Sequence, residues 1–92
     1  MKVYMVDRDL PGITMEQLAA AQKAAIATSE QFTLDGKAVR YIRSTFVPAD
    51  QHCMCLFEAA EANLVKAVNE AAQIPFSRIS EALDLTPEPP RR

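Results

Sequence analysis

The sequence has no tryptophan, two glycines, one histidine and two cysteines, and it has no long apolar run. Each shortage excludes something. Cys53 and Cys55 are separated by a single residue, and such neighbours on a strand lie about 6.5 Å apart at Cα with parallel side chains, at the outer limit of disulfide geometry. Reduced thiols in a cytoplasmic protein are the expectation. The most apolar helical stretch, Leu18 to Ala27, is interrupted by Gln22 and Lys23 and is far shorter than the roughly 20 residues of a membrane span. Lys2 to Arg8 enters a strand-like pattern at once, with no basic segment leading into an apolar core, so neither a secretion signal nor a membrane partner is expected. Charge of one sign is also missing. Ten Lys and Arg stand against twelve Asp and Glu, which gives no electrostatic footprint for nucleic acid. The chain also lacks a nucleophile elbow, a phosphate loop, a dinucleotide fingerprint and a metalloprotease helix, so the recognisable routes to enzyme chemistry are unsupported. A single histidine with only Asp50 nearby in sequence is a weak general base, and a non-enzymatic role is the expectation.

What is present fits one domain of 92 residues, small enough to bury only about 60 to 65 % of its unfolded surface. Its centre is Arg40 to Ala59. Two runs rich in β-branched and aromatic residues, Val39 to Val47 and Cys53 to Phe57, flank a break containing Pro48 and Asp50, which predicts a hairpin. Before it, Lys2 to Asp9 alternates as a first strand, and Leu10, Pro11 and Gly12 break it. Thr14 with Gln17 then matches a capping box, with Ile13 and Leu18 placed as a hydrophobic staple, so a helix starts at Met15 and fades near Glu30. After the hairpin, Leu64, Val65, Val68, Ala71 and Ala72 predict a second amphipathic helix over 61–73, with Asn69 on its polar side. Ser77 to Leu85 alternates as a fourth strand. Residues 1–85 thus form the domain, and 86–92, TPEPPRR, a proline-rich flexible tail whose PxxP spacing reads more simply as a frayed end than as a docking motif.

The order β-α-β-β-α-β predicts an α+β, ferredoxin-like fold: a four-stranded antiparallel sheet with two helices on one face. Alternation within the strands puts Val3, Met5, Val39, Tyr41, Cys53, Cys55, Phe57, Ile79 and Leu83 on one side, and Tyr4, Val6, Ile42, Phe46, Met54 and Leu56 on the other. Both sides are apolar. Two helices cover one of them, so a second copy of the chain, packed sheet to sheet as a homodimer, is expected over the other.

The segments YMVDRDLPGIT at 4–14, RYIRSTFVP at 40–48, CLFEA at 55–59 and IPFSRISEALDL at 74–85 resemble the small bacterial proteins grouped as domain of unknown function 4242, some of which are described as nickel-binding. The resemblance covers Tyr4 to Leu85 and implies a ferredoxin-like protomer in a dimeric α+β barrel, with nickel as a bound ion.

Two constellations are candidate sites. His52, Cys53 and Cys55 are the N and S donors that borderline metals prefer, and Glu58 or Asp50 would add a carboxylate. Against this, the four do not form a recognised ligand pattern, and the two cysteines read more simply as small buried hydrophobes with His52 in a loop. The second constellation, Tyr41, Arg43, Phe57 and Glu81, would line a pocket for a small organic ligand inside the barrel, as in a dimeric α+β barrel enzyme or carrier. Its competing account is that the charges, with Asp7, Arg8, Asp9, Arg40 and Glu58, sit at strand ends and pair across strands or subunits.

Overall fold

A computed structural model describes residues 1–87. Its elements run β1 (Lys2–Asp9), α1 (Met15–Leu34), β2 (Val39–Val47), β3 (His52–Ala59), α2 (Ala62–Ala71) and β4 (Arg78–Ala82). The four strands form one antiparallel sheet in the order β2-β3-β1-β4, so the expected ferredoxin-like architecture is the one observed. Helix α1 packs on β2, and α2 packs on β3 and β4. No helix among the described residues is long and apolar enough to cross a membrane.

Local chemistry explains the element ends. Thr14 Oγ1 accepts from the backbone N–H of Gln17 at 3.0 Å while the Gln17 side chain accepts from the Thr14 N–H at 3.0 Å, the reciprocal capping box the sequence predicts. The helix does not fade at Glu30. It continues to Leu34 because Gly36, at φ +86°, closes it: the Gly36 N–H reaches Thr33 O at 3.0 Å and the Lys37 N–H reaches Phe32 O at 2.9 Å, a Schellman closure that needs a left-handed residue at that place. The end of α2 repeats the pattern, with Gln73 at φ 59° and the Ile74 N–H bonded to Asn69 O at 3.1 Å.

Register decides which residues meet the helices. Tyr4, Val6 and Arg8 lie opposite Phe57, Cys55 and Cys53, and these residues are buried under the helices with Val39, Ala59, Val65 and Val68. The uncovered face carries Val3, Met5, Met54 and Leu56, all only partly buried. The expected grouping of Val3 and Met5 with the cysteines is therefore wrong. Alternation fixes which residues of one strand share a side, but the pairing between strands fixes which sets share a face. A bulge at Ile42 makes a second change: Tyr41 faces Phe57, yet Arg43 lies opposite Leu56 on the open face, and Phe46 lies opposite Cys53 beneath the helices.

The fourth strand is shorter than expected and stops at Ala82. Beyond it, Asp84 forms an ion pair with Arg43. Since β2 and β4 are the two edges of the sheet, the chain past Ala82 must turn back across the open face to make that pair. Part of the face left bare by the helices is thus covered by the chain itself. The tail expectation falls mostly on 88–92, outside the described residues.

Candidate functional site

The four expected metal donors do not converge. Cys53 and Cys55 are buried on the helix side with their Sγ atoms 3.8 Å apart, while His52 and Glu58 lie on the open face at opposite ends of β3. Glu58 is engaged by Arg40 Nε at 3.1 Å. Burial, reinforced by the neighbouring Cys55, pushes the Cys53 thiol up to about 11, so it stays protonated at neutral pH and is a poor ligand. Among the described residues no group of three or more His, Cys, Asp and Glu side chains forms a metal-holding arrangement.

His52 nevertheless sits in a built environment. It lies at the start of β3 rather than in the loop, directly opposite Asp9 and diagonal to Asp7 on β1. Its Nδ1 is 2.8 Å from Asp9 Oδ1 and its Nε2 is 3.0 Å from Asp7 Oδ1. A neutral imidazole has one N–H and can donate to only one of these carboxylates, whereas the imidazolium donates to both. The hydrogen bonds to Asp9 and Asp7 accordingly raise the His52 pKa above 6.5. The sign follows from linkage: a raised folded-state value means the contribution to stability is complete below pH 6.5 and is lost as pH rises through the folded midpoint. An NMR titration of His52 should give a midpoint above 6.5, and Asp9→Asn should bring it back toward that value. A midpoint at or below 6.5 in the unmodified chain would contradict the bracketed geometry.

The other chemically dense region lies on the helix side. A cavity of about 240 Å³ opens between α1 and the sheet, lined by Arg8, Tyr41, Ser44, Cys53 and Cys55 and by apolar residues from α1 and β2. A chain of hydrogen bonds runs along one wall. Gln22 Nε2 donates to Tyr41 Oη at 3.0 Å, Tyr41 Oη and Ser44 Oγ are 2.6 Å apart, and Ser44 Oγ donates to Cys55 Sγ at 2.9 Å. At the cavity's inner end Arg8 is 2 % exposed, donating through Nη1 to Pro75 O at 3.2 Å and through Nη2 to Asn69 Oδ1 at 2.8 Å. Asn69, also buried, donates to Val65 O at 2.8 Å.

Of the four expected pocket residues, Tyr41 alone lines this cavity. Phe57 is a core residue packed edge-on against Tyr41, Arg43 is turned to the open face by the bulge, and Glu81 pairs with Lys2 at 3.6 Å on the exposed edge strand β4. Sequence reasoning missed Arg8 and Asn69 as interior residues. For Arg8 a signal existed, since it continues the alternation of Tyr4 and Val6 toward the buried side. For Asn69 the signal was its place beside Val65 and Val68 on the buried stripe of α2.

The profile of a family described as nickel responsive protein SCO4226-like matches residues 4–82. Among solved structures, the fold is similar to the crystal structure of SCO4226 from Streptomyces coelicolor A3(2), with a TM-score of 0.77 and 26 % identity, covering 91 % of this chain and 99 % of that one. A comparison with curated proteins finds no match.

Proposed function

Because the chain belongs to the nickel-responsive SCO4226-like family, we propose that it binds nickel as a symmetric homodimer, with His52 as the nitrogen donor through Nε2, Asp7 as the carboxylate donor beside it, and Asp9 orienting the ring by accepting from Nδ1–H. The observation that carries this is the imidazole held between two carboxylates on the open face. Imidazole and carboxylate together suit a borderline divalent ion. Two donors do not complete its coordination shell, and a second protomer or water supplies the rest. The second copy docks over Val3, Met5, Met54 and Leu56, and the exposed Leu83 and Leu85 extend that apolar surface. Coordination displaces the proton that the carboxylates stabilise, so nickel uptake weakens as pH falls. The buried thiols take no part.

Native mass spectrometry of the full chain with and without Ni²⁺ tests the proposal. The expected result is a dimer carrying a fixed small number of nickel ions, with His52→Ala weakening uptake at least tenfold and Cys55→Ser leaving it unchanged. A monomer at micromolar concentration would remove the dimer, and equal nickel affinity after His52→Ala would remove His52 from the ligand set.

A further inference from the structure

We propose that the cavity between α1 and the sheet is a binding site for a small organic acid, its carboxylate on Arg8 and its apolar body against Leu10, Leu18, Phe46 and Ile74. Arg8 carries a full positive charge at 2 % exposure, and an uncompensated interior charge is costly. Its two hydrogen-bond partners, a backbone carbonyl and an asparagine oxygen, are neutral. No ion pair among the described residues involves it. The nearby C-terminal end of α2 offsets only about half a unit of charge.

Among the cavity-lining residues Arg8 is the one that is charged, so a bound anion meets no repelling carboxylate. The remaining wall is apolar except for the Gln22, Tyr41, Ser44 and thiol chain, which lines the same cavity and offers donors and acceptors. A single guanidinium balances a monoanion, which selects a carboxylate over a phosphate dianion, and its planar fork matches the carboxylate oxygens. At about 30 Å³ per water-sized group, 240 Å³ admits roughly eight such groups, the heavy-atom count of hexanoate. The site lies on the opposite side of the sheet from His52 and does not depend on nickel.

The test is an NMR titration of the full chain with hexanoate, using hexanol as the neutral isostere. Hexanoate should shift the signals of Arg8, Ser44 and Cys55 and bind at least tenfold more tightly than hexanol. Ala21→Phe, which fills the cavity from α1, should abolish binding. Ala19→Phe, from an exposed position at the cavity wall, should weaken it without disturbing the fold. Arg8→Gln should bring the two affinities together. Equal affinity for hexanoate and hexanol in the unmodified chain, binding of neither, or hexanoate binding unaffected in a folded Ala19→Phe or Ala21→Phe protein would each overturn the proposal.

Discussion

Phe57→Ala should cost about 3–5 kcal/mol, the usual range for an aromatic ring removed from a close-packed interior. The ring is 0 % exposed on β3 and meets Tyr41 edge-on, with centroids 5.5 Å apart and planes at 75°. It lies opposite Tyr4 on one side and Tyr41 on the other, so two neighbouring strands lose contact with it at once. A domain of this size has only about 5–15 kcal/mol in total, and the variant should be partly unfolded at ambient temperature. Urea unfolding followed by circular dichroism measures the change. Phe57→Leu, which retains most of the volume, should fall well short of the alanine loss. A loss below about 1 kcal/mol for the alanine variant would mean that the core collapses around the gap and that Phe57 is not its centre.

Asn69→Leu should be the most damaging change of a polar residue. It keeps the volume but removes the acceptor for Arg8 Nη2 and the donor to Val65 O. Losing a hydrogen bond to a charged group costs about 1.5–3 kcal/mol, and leaving a buried donor unsatisfied adds to it. The interaction is best isolated by a double-mutant cycle with Arg8→Met. With both partners apolar no buried polar atom of the pair is left orphaned, so the double variant should be more stable than the sum of the single losses allows. Simple additivity of the two would show that the contact is incidental to the packing of α2 on β1.

The elements themselves were legible because their signals are local. The capping box at Thr14 and Gln17 and the alternation in β1 and β2 each depend on a few adjacent residues. Misreadings arose where a helix closure or a distant segment decides. The length of α1 depended on how Gly36 closes the helix, the shared face of Tyr4 and Cys55 depended on inter-strand register, and the shortness of β4 depended on Asp84 leaving for Arg43. The site was less legible than the fold for the same reason. Asp7 and Asp9 are 45 and 43 positions away from His52 in sequence, and nothing in local spacing announces that a strand pairing will set them around it. The interior place of Arg8 was hidden by a general expectation, that arginine in a strand end points to water, which the C-terminal end of α2 and its Asn69 override.

The bulge at Ile42 works as a phase shifter within a single strand. Residues before it and after it keep independent assignments of inside and outside, so Tyr41, Ser44 and Phe46 all reach the helix side although no uninterrupted alternation contains all three. Drawing Ile42 into the ladder as a paired residue would instead slide the rest of the strand by one position, putting Arg43 and Thr45 beneath α1 and turning Ser44 and Phe46 outward. Two proteins with the same order of strands and helices, one bulged here and the other paired without a break, would share a fold and present different chemistry on both surfaces of the sheet.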